Sequence, residues 1–267
     1  MTQEKCLQLK NDRLDCRRLA KNLENNDYRK CRVPDQERRE DRQLSRTYCQ
    51  VQKDIVRVCN RIRRMVEFHG LDEQFPPGRW TRTLYLKLGT MLAELNLSSS
   101  LFYSLQTTFN ELHMLWEMKK NVMKHLMALA QKERYKETVN LLKSAPGIGN
   151  LTAIRLALEW GELNGDFTRK QDFASFVGLI PSDYSTGAQD HKGHITKQGN
   201  RAVRAWLIES AWVAIRKDPA LLDKYQIVCH NNSGMKKKAI VAVARKLALR
   251  LRAILTTRQP YVIGKLE

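Results

Sequence analysis

The chain has 267 residues, enough for one large domain or two ordinary ones, and its net charge of +19 favours a polyanionic partner. A membrane surface is the alternative polyanion, but no apolar run approaches the roughly 20 residues that a spanning helix needs. The first residues also lack the apolar segment of a signal peptide. We therefore expect a nucleic-acid-binding protein that does not enter a membrane.

The six cysteines show neither a metal-binding nor a disulfide pattern. No two of them are spaced as Cys-x-x-Cys, and they form no evident paired framework. Free thiols in a reducing cytoplasm are the simplest interpretation. We therefore expect a cytoplasmic protein.

Two carboxylates lie near the start of the chain, in a segment with helical periodicity. Asp12 and Asp15 are three residues apart, so on a helix both can point the same way. Two converging carboxylates can hold Mg²⁺ with several waters left in place. Alternatively, Asp12 caps the helix and Asp15 pairs with Arg18.

The next part of the chain is predicted to be a helical arm. Apolar residues step by three and four along residues 34–71 and again along 98–132, which indicates two long amphipathic helices. Shorter helices are predicted within 72–97 and over 133–143. The arm is expected to be an antiparallel hairpin whose apolar face packs within the chain or pairs with a second protomer. Near the end of the first helix, a basic cluster fits either a solvated face or phosphate contact: Arg57, Arg61, Arg63 and Arg64.

A glycine-bearing turn, Pro146-Gly147-Ile148-Gly149, precedes an apolar helix predicted over residues 151–160. The glycines permit a tight turn and close approach of another backbone, and the helix start offers free N–H groups. Gly147 and Gly149 are therefore candidates for a grip on a nucleic-acid phosphate. The alternative is an ordinary turn between two helices.

A candidate nucleophile follows in the segment Tyr184-Ser185-Thr186-Gly187. Serine needs a base, a cation or a polarised target to attack at neutral pH. Positive groups that could hold a scissile phosphate follow closely: Lys192, His194, Lys197 and Arg201. The alternative is that Ser185 is a turn serine that bonds to nearby backbone.

The last helices carry most of the remaining positive charge. On the helix predicted over 201–216, Arg201 and Arg204 are expected to lie outside the buried stripe. From residue 191 to residue 258 there are 15 Lys and Arg residues against three acids, so binding to a polyanion should weaken with salt. On the final helix, several basic residues are assigned to solvent or phosphate: Lys236, Lys237, Lys238, Arg245, Lys246, Arg250 and Arg252.

Several of these motifs, in this order, resemble the DEDD-type insertion-sequence transposases of the one-ten/eleven-eleven family. The matching pieces are Ala145-Pro-Gly-Ile-Gly149, Phe176-Val-Gly-Leu-Ile-Pro181, Tyr184-Ser-Thr-Gly187, Gly193-His-Ile-Thr-Lys-Gln-Gly-Asn200 and Arg204-Ala-Trp-Leu207. The resemblance implies a mainly α-helical protein in three parts. These are a remnant of a RuvC-like nuclease domain (1–33), a coiled-coil arm (34–143) and a compact helical transposase domain with a helix-hairpin-helix-like turn (144–267).

The resemblance also implies the chemistry. Members attack a DNA phosphodiester with a serine at the position of Ser185 and form a covalent phosphoserine link, and Thr186 stands where the family has a second serine. Asp12 and Asp15 match the last two acids of the family's metal set, which implies Mg²⁺. The family further implies DNA as substrate, a guiding bridge RNA and a homo-oligomer formed through the arm.

The resemblance leaves the activity of this chain open. The family places its first Asp and its Glu ahead of the Asp12 motif, whereas only eleven residues precede Asp12 here. We therefore expect a truncated or frame-interrupted member that lacks most of the RuvC-like domain. The expected function is DNA transposition or site-specific recombination, and the alternative is a non-catalytic DNA- or RNA-binding remnant.

Overall fold

The structure is a computed structural model, and its residues fall into two units, Met1–Glu37 and Arg38–Glu267. It describes residues 11–27, 33–71, 73, 81–161, 163, 167, 169–183, 192–196, 198–231 and 234–264. In these ranges the chain forms ten α-helices and a two-stranded antiparallel sheet, which confirms the predicted mainly helical fold.

The elements follow one another along the chain with short connections. The helices are α1 (Asp12–Glu24), α2 (Gln36–Phe68), α3 (Arg82–Met91), α4 (Ser99–Leu129), α5 (Glu133–Lys143), α6 (Asn150–Trp160), α7 (Lys170–Val177), α8 (Arg201–Ala214), α9 (Pro219–His230) and α10 (Lys236–Thr257). The strands, β1 (Pro181–Asp183) and β2 (Lys192–Ile195), lie between α7 and α8.

The first unit contains α1, a solvent-exposed helix. Asn11 caps it, because the Asn11 side chain accepts a hydrogen bond from the Arg13 N–H at 3.0 Å. The interpretation of Asp12 as the cap is therefore wrong, and Asp12 and Asp15 both lie exposed in the first turn. The assignment of this region to a RuvC-like domain stays a prediction.

The arm forms its own hydrophobic cluster from α2, α3 and α4. Its members include Val58 and Ile62 of α2, Leu88 of α3 and Phe109 of α4. These residues recur at the spacing of one helical face, so each helix buries one stripe. The chain leaves α2 through Gly70, whose φ of +65° is the left-handed conformation expected at a helix end. The predicted helical hairpin is confirmed, because Arg61 bonds Glu111 and Met65 contacts Thr108 in antiparallel order.

A second and larger cluster contains α5 to α10 and also parts of the long helices. Tyr48 of α2 and Leu126 of α4 belong to it. Arg38 fixes α2 to α6, since its Nε donates to the Leu158 carbonyl at 3.0 Å and its Nη2 donates to Ala157 at 3.2 Å. These carbonyls belong to the last turn of α6, where Ala157 also accepts from the N–H of the C-cap residue Gly161 at 2.8 Å. The two hydrophobic clusters therefore divide α2 and α4 between them.

The buried helix α6 lies at the centre of the larger cluster. Its interior side chains include Ile154 and Leu158, and α4, α5 and α8 pack against it. Among the described helices, none has both the length and the apolar character needed to cross a bilayer.

Candidate nucleic-acid interface

The sheet closes the ends of the segment that carries Ser185. β1 and β2 pair antiparallel, with Pro181 opposite Ile195 and Asp183 opposite Lys192. The Ser182 hydroxyl also donates to the His194 carbonyl at 2.9 Å. Residues 184–191, and with them the Ser185 prediction, lie outside the described residues. The structure therefore defines the base from which this segment departs and returns.

The base of the hairpin is held by two glycines in close backbone contact. Gly178 has φ +72°, and a Cβ there would lie 1.8 Å from the Gln198 carbonyl oxygen. Gly199 has φ +84°, and a Cβ there would lie 2.1 Å from the Phe176 carbonyl oxygen. Only glycine fits such positions, because it tolerates positive φ and has no Cβ to clash. The end of α7 is thus locked against the start of α8.

Arg204 reinforces the same corner from inside. It is 8% exposed, and its Nη1 donates to the carbonyls of Gln198 at 2.8 Å and Gly199 at 3.1 Å. Burial lowers the pKa of the guanidinium, and the charge of Arg201 lowers it further. The prediction that Arg204 lies outside the buried stripe is wrong, because backbone carbonyls provide it with buried partners. Its predicted nucleic-acid contact stays a prediction, and its described contacts give it a positioning role.

Two predicted cations remain on the surface of this corner. His194 is exposed on β2, and Arg201 is exposed in the first turn of α8. Asn200 caps that helix, since its side chain accepts from the Ala202 N–H at 2.9 Å. Lys192 belongs to β2 but its side chain is outside the described part of the chain, as is Lys197.

The two glycines of the Pro146–Gly149 turn have different surroundings. Gly147 has φ +83°, and a Cβ there would lie 2.3 Å from the Ser210 carbonyl oxygen of α8. The backbone that Gly147 allows to approach closely is therefore that of α8 in the same chain. Gly149 is exposed at the N-cap of α6, and no described atom lies within 4 Å of a Cβ built on it. The first N–H groups of α6 thus start from an open site that suits a phosphate.

The final helix contributes a smaller basic surface than its sequence predicts. Lys236, Lys237 and Lys238 are exposed in the first turn of α10. Arg250 is 7% exposed, and its Nη1 pairs with Asp218 Oδ2 at 2.6 Å. The assignment of Arg250 to solvent or phosphate is therefore wrong, because α8 and α9 pack on both sides of α10.

Arg252 is half-buried and donates to the Phe167 carbonyl, so its guanidinium already has a partner within the chain. The Arg250–Asp218 ion pair is completed by the Tyr261 hydroxyl, which bonds both partners. The exposed positive charge of α10 therefore concentrates at its N-terminal end.

One buried cation was missed in the sequence. Arg155 lies in the middle of the mostly apolar helix α6. Its guanidinium carbon is 3.8 Å from the centroid of the Trp206 ring, and its Nη2 donates to Cys49 Sγ at 2.7 Å. A charge in the middle of a mostly apolar helix was the available signal, because a buried charge requires partners. Arg155 thus covers one face of Trp206.

The predicted metal ligands supply two carboxylates. Asp12 and Asp15 are exposed on α1, and the described ranges contain no group of three or more His, Cys, Asp or Glu residues suited to a metal. Mg²⁺ is usually held through one or two carboxylates together with water and substrate phosphates. The chemistry of the pair fits Mg²⁺ only with further ligands from outside the described residues.

Comparison with known proteins defines this region as a transposase domain. The family described as Transposase IS116/IS110/IS902 matches residues 139–226, which include the glycine turn, the hairpin and α8. The transposase for insertion sequence element IS1111A of Coxiella burnetii is 26% identical over 260 residues, covering 96% of this chain and 69% of that protein. The chain is therefore similar to insertion-sequence transposases, and its residues 139–226 match the family described as Transposase IS116/IS110/IS902.

Shorter matches cover the same type of protein. The transposase for insertion sequence element IS1328 of Yersinia enterocolitica is 35% identical over 81 residues, or 30% of this chain and 24% of that protein. The uncharacterized 43.6 kDa protein of insertion element IS110 of Streptomyces coelicolor is 34% identical over 80 residues, or 30% of this chain and 20% of that protein.

Proposed function

We propose that this chain acts in DNA transposition, binding DNA through residues 144–267 and cleaving a strand with Ser185 as nucleophile. The observation that carries the proposal is the pairing of Asp183 with Lys192, which brings together the two ends of the Ser185 segment. The close backbone contacts of Gly178 with Gln198 and of Gly199 with Phe176 make that base rigid. A rigid base suits a nucleophile that must be aimed at one phosphate.

The proposed step is a transesterification. The Ser185 oxygen forms a bond to the phosphorus, and the bond from phosphorus to one deoxyribose oxygen breaks. The serine proton passes to a base and the departing oxygen takes up a proton, so that charge balances. One DNA end is then held as a phosphoserine and the other carries a free hydroxyl.

The proposed DNA-binding surface combines exposed cations with a helix start. His194 and Arg201 flank the hairpin, Gly149 opens the N-terminus of α6, and Lys236 to Lys238 begin α10. The three lysines stand at the positive end of the α10 dipole, where cations destabilise a helix. A bound phosphate would offset this repulsion.

Mg²⁺, a guide RNA and self-association complete the proposal. Asp12 and Asp15 would supply two carboxylate ligands to the metal. Self-association is supported by exposed apolar residues on one face of α4, at a spacing that places them in a row: Tyr103, Met114 and Met118.

The test is a covalent adduct assay. The full chain is incubated with Mg²⁺, guide RNA and duplex DNA that carries the ends of its own element, and denatured samples are examined for protein-linked DNA. We expect the adduct to disappear in Ser185→Ala and to persist in Thr186→Ala, with duplex affinity unchanged in both. If Thr186→Ala alone abolishes the adduct, the serine assignment is wrong. Binding without any adduct would instead support the non-catalytic function.

A further inference from the structure

The face of α2 that points away from the arm's core carries a continuous polar stripe. Core residues such as Val58 and Ile62 occupy the opposite side of the helix. The stripe residues recur every three or four positions and are all exposed. They are Arg46, Gln50, Lys53, Arg57, Asn60 and Arg64.

The charge of this stripe is positive and largely uncompensated. Within the described part of the chain, no carboxylate pairs with Arg46, Lys53 or Arg64. Arg57 bonds Asp54 at 2.7 Å but its side chain is still 67% exposed. An exposed pair of this kind contributes little and exchanges readily for another anion. The stripe therefore presents four cations to solvent.

The dimensions of the stripe suit a nucleic-acid duplex. The 18 steps from Arg46 to Arg64 span about 27 Å at 1.5 Å per residue. This length corresponds to about eight base pairs of B-DNA at 3.4 Å per pair. At its C-terminal end lies an open concavity of about 580 Å³, with Arg57, Arg61 and Arg64 in its wall beside Phe68, whose side chain is 85% exposed.

The row of cations is also rigid. α2 is one helix of 33 residues, and its sequence contains neither glycine nor proline. Tyr48 anchors it in the larger hydrophobic cluster and Ile62 anchors it in the arm cluster. Bonds from Arg38 to the last turn of α6 fix its start. A helix held at both ends keeps its exposed side chains at fixed intervals.

We propose that this stripe is a second DNA-binding surface, which contacts the phosphate backbone of the duplex that flanks the site held by residues 144–267. The inference rests on the proposed DNA-binding function and adds a contact outside the domain that the family match covers. Exposed cations at regular intervals along a stiff helix complement the regular phosphates of a straight duplex. The surface would lengthen the footprint on DNA without reading its sequence.

The test compares two variants that lose the same charge. One carries Arg46→Gln, Lys53→Gln and Arg64→Gln, and the control carries Lys87→Gln, Lys124→Gln and Lys136→Gln, three exposed lysines elsewhere. Glutamine keeps a high helix propensity, and circular dichroism with urea unfolding checks that both variants fold. Affinity is measured against salt on a short duplex and on a duplex several helical turns long.

The stripe variant is expected to lose affinity on the long duplex only. Three lost phosphate contacts make the negative slope of log K against log salt shallower by about 2.7. Between 50 and 200 mM salt, the affinity of the stripe variant should therefore fall by a factor about 40-fold smaller than that of the wild type. The control should keep the wild-type slope. Equal slopes in both variants would overturn the proposal.

Two further outcomes would also overturn it. A loss confined to a stem-loop RNA would assign the surface to RNA, and a loss of self-association by sedimentation would assign it to a second protomer. A third variant, Lys236→Gln, Lys237→Gln and Lys238→Gln, tests the primary surface separately. If that variant binds normally while the stripe variant does not, the three lysines are not part of the primary interface, and the contact through the stripe stands.

Discussion

The guanidinium of Arg204 is bonded to the carbonyl oxygen of Gln198 at 2.8 Å, inside the protein and beneath the hairpin that leads to Ser185. The same carbonyl excludes any side chain at Gly178. One backbone oxygen thus connects the end of α7, the approach to α8 and the first turn of α8. This corner is the framework on which the candidate nucleophile depends.

Replacing Arg204 should therefore destabilise the fold more than it affects DNA contact. We expect Arg204→Gln to lower the free energy of unfolding by about 2 kcal/mol, because two partly buried hydrogen bonds lose their charged donor. Urea unfolding followed by circular dichroism measures the change. Arg201→Gln is the matched control in the same turn, and it should stay within about 0.5 kcal/mol of wild type. Equal losses in the two variants would contradict the positioning role of Arg204.

The two glycines of the Pro146–Gly149 turn should differ in how much stability they lose on replacement by alanine. Gly147→Ala places a Cβ 2.3 Å from the Ser210 carbonyl at a positive φ, so we expect a loss of at least about 2 kcal/mol. Gly149→Ala meets open space at φ −87° and should cost less than about 1 kcal/mol. Thermal unfolding of both variants is the measurement. A Gly149→Ala loss as large as that of Gly147→Ala would contradict this account of the turn.

The Asp218–Arg250 pair should make stability sensitive to acid. Burial alone would raise the pKa of Asp218, but hydrogen bonds from Tyr261 and the Ala220 N–H, together with the Arg250 charge, outweigh it and lower the pKa. The unfolded carboxyl titrates near about pH 4, so this stabilisation is fully present above that pH. It is lost as the pH falls through the lower folded value.

Asp218→Asn tests this pair directly. It removes the carboxylate that pairs with the buried Arg250, so we expect about 3–5 kcal/mol of destabilisation near neutral pH. The variant should also lose the part of the acid dependence that belongs to this carboxyl, as shown by urea unfolding at several pH values. Asp223→Asn on the exposed face of α9 is the control and should behave as wild type. An unchanged acid profile in Asp218→Asn would refute the assignment.

The lysines at the start of α10 should oppose stability while promoting DNA binding. Lys236→Glu with Lys237→Glu replaces cations by anions at the positive end of the helix dipole, which should add about 0.3–1 kcal/mol per position. Duplex affinity should fall, and the salt slope should decrease by about 0.9 for each lost contact. Unfolding and fluorescence anisotropy titrations measure the two effects. The control pair, Lys87→Glu with Lys124→Glu, should leave affinity nearly unchanged.

Because stability should rise while DNA affinity falls, the result distinguishes a lost phosphate contact from general damage to the fold. A variant that lost both stability and affinity would indicate damage to the fold instead of a lost phosphate contact. In that case the surface at the start of α10 would have to be abandoned as part of the interface.

Much of the helical framework was predictable from the sequence. The apolar stripe of α2, its termination at Gly70 and the bounds of α5 follow from a period of 3.6 residues and from glycine at helix ends. These are local properties, since each residue acts on neighbours three or four positions away. The match of residues 139–226 to a transposase family was likewise predictable from the sequence, because it depends on residue types and spacing alone.

Tertiary structure decided which charged and glycine residues belong to the interior. Arg204 and Arg250 look like surface cations on their own helices, but both are buried. Arg204 bonds the backbone carbonyl of Gln198, and Arg250 pairs with Asp218, 32 positions away. Gly147 owes its constraint to Ser210, and the start of α2 is fixed through Arg38 by a helix about 120 residues further on. The pattern of side chains along a helix predicts which residues share a face of that helix. Whether one of those residues is buried depends on which other part of the chain packs against that face.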